Sequence, residues 1–248
     1  MGKWKFKSLM AIGLLAGGLS SFNANAFVLQ GNSWGGPGTT VTWSLMPTGT
    51  PCALPPVEPV GCTITSITDF MPVGAVTEIV NAFAAWSAVA DINFVKINDD
   101  GAPFNAPTSS GDIRIGGHAF DGPGNTLAHG FFPPPNGLSA AGDIHFDIAD
   151  TWKIGFGGAG FDIFQVMAHE IGHAIGLEHT AVPNSLLNPF YTEAFRGLQA
   201  DDIAGAQALY GARQSVFEPE TTLLMMLSFA MLALSLRRKE NNLQPELS

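Results

Sequence analysis

Basic residues are scarce in the body of this chain. Between Phe27 and Ala212 only Lys96, Arg114, Lys153 and Arg196 stand against seventeen Asp and Glu, and six of the eleven basic residues of the whole sequence fall in its first seven or last dozen positions. Gripping a phosphate backbone takes Lys and Arg, so no nucleic-acid partner is expected. Carboxylates in this number suit cation binding, or simply solubility. Cysteine is nearly absent. Cys52 and Cys62 share one Pro-rich loop, too few for a zinc-finger arrangement, and in an exported protein they are expected to form a local disulfide, the alternative being two free thiols. No apolar run reaches the roughly twenty residues that a bilayer core needs.

Two shorter apolar runs carry signals of their own. Lys3, Lys5 and Lys7 precede an apolar stretch from Leu9 to Leu19 and a small-x-small site at Ala24-Asn25-Ala26. Residues 1–26 therefore read as a secretory signal peptide, with the mature chain starting near Phe27. Residues 27–212 are the length of one catalytic domain, 213–220 read as a linker, and 240–248 as a polar tail. Within 221–239 the segment Thr221 to Leu236 is apolar on every face and is followed by Arg237, Arg238 and Lys239. That pattern predicts a short membrane span with a basic stop, rather than a terminal core helix.

Strand patterns at Val41–Leu45, Ile92–Ile97, Ile113–Ile115 and Asp143–Asp147 alternate with loops, of which Pro47 to Gly61 is rich in Pro and Thr. Val76, Ile79, Val80, Phe83 and Trp86 recur at helical spacing, predicting a helix over Ala75–Val89. After a glycine-rich loop from Lys153 to Gly160, helices are predicted over Phe161–Gly176 and Asp201–Tyr210. Strands and one helix first, then helices, indicate an α+β domain.

Residues 169 to 179 read HEIGHAIGLEH. On a helix His169 and His173 leave the same face one turn apart and can grip one zinc ion, while Glu170 sits beside them, placed to act as general base toward the attacking water without being a ligand. Gly176 permits the reversal that brings in His179. Three protein ligands leave one tetrahedral position open, the mark of a catalytic rather than a closed structural zinc site. A core helix with incidental histidines explains the first pair but not the glycine and the third histidine.

At these residues the sequence resembles the matrixin branch of the metzincin zinc metallopeptidases. FDGPGNTLAHGF from Phe120, GDIHFDIADTW from Gly142 and LQADDIAGAQALYG from Leu198 look like matrixin signatures in matrixin order. The resemblance implies a metzincin domain, with a twisted mixed sheet and three main helices, that hydrolyses peptide bonds of extracellular proteins. It also implies a calcium site at Asp121, Asp147 and Asp150 with the carbonyls of Gly122 and Gly124. His129 and His145 match two ligands of the family's structural zinc, with His118 available as a third. Peptide substrate is expected to lie along an edge strand near Asn125, Thr126, Leu127 and Ala128, and Pro189, Phe190 and Tyr191 match the wall of the pocket just beyond the cut.

Three features depart from the family. The His-x-Asp pair that completes the structural zinc site is missing ahead of FDGPG, so a fourth ligand is unassigned. Leu187 stands where the family has a methionine beneath the metal. The cysteine that keeps family members latent has no counterpart before FVLQGNSW, so latency by a thiolate is not expected. VFEPETTLLMMLSFAMLALSLRRK resembles a PEP-CTERM sorting signal, with Phe217 where the first proline belongs. That implies an export pathway, an exosortase-type processing enzyme and the envelope or surroundings of a Gram-negative bacterium. The rival reading is a non-catalytic, metal-binding envelope or matrix protein; serralysin and astacin types lack the FDGPG and LAHGF boxes.

Overall fold

The computed structural model describes residues 27–135, 139–214 and 219–241; the signal-peptide reading lies outside them. The architecture is α+β. A five-stranded mixed sheet is ordered β3 (Ile92–Lys96), β2 (Thr39–Leu45), β4 (Ile113–His118), β6 (Ile144–Asp147), β5 (Ala128–Gly130), and only β5, at one edge, runs antiparallel. β2 buries Val41 and Trp43 on one face, as its alternation requires. β4 is buried along its whole length, and the predicted strand ending at Ile115 continues to His118 because Gly116, Gly117 and His118 pair with His145, Phe146 and Asp147 of β6.

Four helices cover the sheet or pack beside it. α1 (Ile67–Phe70) is a single turn. α2 (Ala75–Val89) turns Ile79, Ala82, Phe83 and Trp86 inward, and the Trp86 indole donates to the Ala168 carbonyl at 2.9 Å, so burying its large ring leaves no unpaired N–H. That bond fastens α2 to α3 (Ile163–Ala174). Sequence periodicity places the start of α3 at Phe161, but Phe161–Asp162 form a short strand, β8, paired with β7 (Trp152–Lys153). Asp162 is then the N-cap, accepting from the Gln165 N–H at 2.9 Å. α4 (Ala200–Tyr210) closes the domain, its start held by a reciprocal capping box between Gln199 and Asp202.

An unpredicted ribbon pairs β1 (Val28–Leu29) with β9 (Leu177–Glu178), and the Gln30 N–H donates to the Gly176 carbonyl. Gly176 has φ of 108°, and a Cβ there would lie 2.4 Å from the Asn32 carbonyl oxygen. Glycine is thus required twice, by the backbone conformation and by the crossing chain. Cys52 and Cys62 form a disulfide. α5 (Pro219–Asn241) spans the apolar C-terminal segment and leaves Leu224, Phe229 and Met231 exposed. Among the described residues no helix is long and apolar enough to cross a membrane.

Candidate metal centre

α3 presents His169 and His173 on one face, and the Gly176 reversal with β9 returns His179 to meet them. The Nε2 atoms of His169 and His173 are 3.1 Å apart, and those of His169 and His179 are 3.2 Å apart. Tautomers are fixed from behind. His169 Nδ1 lies 2.6 Å from the Leu186 carbonyl and His173 Nδ1 2.8 Å from the Leu177 carbonyl. A carbonyl only accepts, so each Nδ1 carries the hydrogen and each Nε2 presents a bare lone pair. Burial, with the neighbouring imidazoles adding to it, lowers His169 to about 4 and His173 to about 3; burial lowers His179 as well. Neutral lone pairs held face to face repel one another unless a cation sits between them. Ligand nitrogens around tetrahedral zinc lie roughly 3.3 Å apart, given Zn–N bonds of about 2.0–2.1 Å. The donor set therefore fits zinc.

Glu170 lines the same cleft as the three histidines, its carboxylate facing Gly130 on β5. It is 5% exposed, and its Oε2 has no hydrogen-bond partner. Burial pushes its carboxyl up to about 8, against the opposing effect of the Gly130 N–H. A carboxyl raised by burial is a competent proton acceptor near neutrality.

The turn from Ser185 to Asn188 supports the site from below, and Asp202 holds that turn. Asp202 is 1% exposed and accepts from the Leu186, Leu187 and Gln199 N–H groups at 2.8, 3.0 and 2.8 Å and from the Ser185 hydroxyl. Leu187 is buried against α3 at Gly172, where a Cβ would stand 2.8 Å from the leucine Cδ2. Asp202 is visible in the sequence only as part of the LQADD signature, and nothing local announces its reach to a turn fifteen residues earlier.

A cleft of about 810 Å³ runs past the three histidines. Asn125, Thr126, Leu127 and Ala128 line it together with Pro189, Phe190 and Tyr191. The regular edge strand is Ala128–Gly130, which begins on the last residue of the stretch singled out in the sequence, and the Leu127 carbonyl just before it accepts from the Asp147 N–H of β6. The Tyr191 hydroxyl accepts from the Asp162 N–H and donates to Glu193, each at 2.9 Å, fixing the pocket wall to the start of α3.

A second cluster gathers His118, His129 and His145 around Glu58. The register of the sheet builds it. His129 on β5 stands opposite His145 on β6, and His118 ends the neighbouring β4. Glu58 is the residue that the sequence reading missed. It is the only acidic residue in the segment from Pro47 to Thr68, and that isolation in an apolar loop was the available signal. Burial pushes its carboxyl up, but the three imidazoles outweigh that and hold it well below the usual range.

Asp121, Asp147 and Asp150 lie near one another without converging as closely as those two clusters. The Oδ2 atoms of Asp147 and Asp150 are buried and lack partners. Burial raises the Asp150 carboxyl, and the charges of Asp147 and Asp121 raise it further. Paired, unsatisfied carboxylate oxygens of this kind fit a hard cation such as calcium.

The matrixin family model matches residues 59–211. Karilysin of Tannerella forsythia is 39% identical over 142 residues, 57% of this chain and 29% of that protein. Matrix metalloproteinase-20 of Homo sapiens is 42% identical over 146 residues, again 57% and 29%. Stromelysin-3 of Xenopus laevis is 40% identical over 139 residues, 54% and 27%. The chain spans under a third of the length of these relatives.

Proposed function

The chain belongs to the matrixin family, and from that premise and the geometry of the cleft we propose that it is a zinc metalloendopeptidase with His169, His173 and His179 as metal ligands and Glu170 as general base. The observation that carries this reading is the meeting of bare Nε2 lone pairs beside a buried carboxyl raised toward neutrality. When bound, zinc supplies Lewis acidity toward the scissile carbonyl and the attacking water. Glu170 accepts the proton released by that water and passes it to the departing amine nitrogen. An extended peptide adds as a strand to the open edge of β5, gaining main-chain hydrogen bonds. Its side chain just after the cut enters the pocket walled by Pro189, Phe190 and Tyr191, which favours an apolar residue.

In the same reading Asp121, Asp147 and Asp150, with carbonyls of Gly122 and Gly124, hold calcium, and the three histidines of the second cluster hold a second, structural zinc. Residues 1–26 direct export, and the PEP-CTERM-like segment 221–239 engages an exosortase-type enzyme and, transiently, the membrane of a Gram-negative envelope. The substrate is extracellular protein.

Glu170→Gln tests the central assignment. Hydrolysis of casein should fall by several orders of magnitude while the zinc content of the catalytic site is retained. Undiminished hydrolysis with that zinc bound would remove Glu170 from the mechanism.

A further inference from the structure

The loop closed by Cys52 and Cys62 is built in an unusual way. Between the two cysteines Val57 is 57% exposed and Val60 85% exposed, while Glu58 is 1% exposed and is the only buried residue. A surface loop anchors itself ordinarily by turning an apolar side chain inward and leaving its charges in water. This one does the reverse, which is unfavourable unless the buried carboxylate meets a compensating charge.

The surroundings of Glu58 point to what that charge is. Oε1 lies 2.7 Å from His145 Nδ1 and 2.9 Å from His129 Nε2, and Oε2 lies 2.9 Å from His118 Nε2. His118 Nδ1 is 3.0 Å from the Ala119 carbonyl, which can only accept, so Nδ1 carries the hydrogen. In the neutral ring Nε2 is then an acceptor facing an acceptor, and its approach to Oε2 does not have the geometry of a hydrogen bond. Two facing lone-pair donors at that distance require a cation between them, either a second proton on His118 or a metal ion. Three imidazoles and one carboxylate, with all four ligand atoms within 4.8 Å of one another, make a complete tetrahedral set for zinc.

We propose that Glu58 is the fourth ligand of the second zinc site, supplying from a distant loop the carboxylate that, with His118, replaces the His-x-Asp pair absent ahead of FDGPG, and that the Cys52–Cys62 disulfide sets the affinity of that site by holding Glu58 in place. This extends the second-zinc reading given above. The two elements are structurally continuous. Leu54 and Glu58 exchange main-chain hydrogen bonds in both directions, and the Cys52 N–H donates to the Cys62 carbonyl. Cys52 is buried in a small apolar cluster with Phe104, whose ring contacts His145 at 5.1 Å. With the disulfide open, the ten-residue separation no longer confines Glu58, and ordering it must be supplied by the metal.

The test measures zinc stoichiometry and chelator competition on the full chain. Wild type should retain two zinc equivalents, and Glu58→Gln should lose one while keeping the other. Reduction with a phosphine, and Cys52→Ser/Cys62→Ser, should each weaken only that equivalent, by about 10–100-fold, the effect typical of losing a group that positions a ligand. Circular dichroism checks the fold, and reduction of the folded wild type serves if the double variant fails to fold. Two equivalents of unchanged affinity in Glu58→Gln would overturn the ligand assignment, and affinity indifferent to the disulfide would overturn the linkage. A wild type holding one zinc, with His118 doubly protonated by ¹⁵N NMR, would overturn the second-zinc reading itself; the Glu170→Gln assay is independent of all three.

Discussion

Replacing Asp202 by asparagine probes the support beneath the three histidines without touching any of them. The carboxylate uses both oxygens, Oδ2 for the Leu186 and Gln199 N–H groups and Oδ1 for the Leu187 N–H and the Ser185 hydroxyl. An isosteric amide that keeps its oxygen at the Oδ2 position retains the first two bonds. Its NH₂ then faces the Leu187 N–H, donor against donor, while the Ser185 hydroxyl can turn to accept. The Leu187 N–H loses its charge-assisted bond and keeps only the longer one to Ser185 Oγ at 3.2 Å, costing about 1–3 kcal/mol. For a domain of this size that is a fall in Tm of roughly 2–12 °C. The Leu186 carbonyl orients His169 at 2.6 Å, so loosening the turn should also weaken catalytic zinc about 10-fold, the low end for a group behind a ligand. Scanning calorimetry and chelator competition measure the two effects. Unchanged Tm together with unchanged zinc affinity would refute the claim that Asp202 holds the turn and the turn holds His169.

Gly172→Ala should reverse sign with its background. Helix propensity favours alanine by about 1 kcal/mol, but a Cβ 2.8 Å from Leu187 Cδ2 overpacks at a cost of about 1–3 kcal/mol. The change should therefore destabilise wild type and stabilise the Leu187→Ala variant in urea unfolding. For pH, burial works against Asp99, but its hydrogen bonds from Arg114 and Ser44 outweigh it and lower its folded pKa. Its stabilising contribution is thus present above about pH 4, the unfolded value, and is lost as pH falls through the depressed folded value. The stability difference between wild type and Asp99→Asn should shrink steadily from pH 5 to pH 2, and a constant difference would count against the ion pair.

Much of this molecule is local and hence legible in one dimension. The helix over Ala75–Val89 follows from a 3.6-residue apolar period, and the three-histidine motif follows from helical spacing plus one glycine. Those interactions span a few turns, so adjacent residues carry all the information. The start of α3 escaped because Phe161 and Asp162 pair with Trp152 and Lys153, a contact the helical pattern does not encode. The edge strand was read close to its place, but its register depends on its partner β6.

By itself the sequence determined that one helix carries a histidine pair with Glu170 beside it and that a glycine turn leads to a third histidine, because each rests on short-range spacing. Only the tertiary structure decided which other side chains gather at and support the candidate metal sites. Asp202 reaches back fifteen to seventeen residues to its turn, and Glu58 meets His145 across 87 positions. In both cases the sign of the charge was visible in the sequence, but its target was set by which strands and loops pack together.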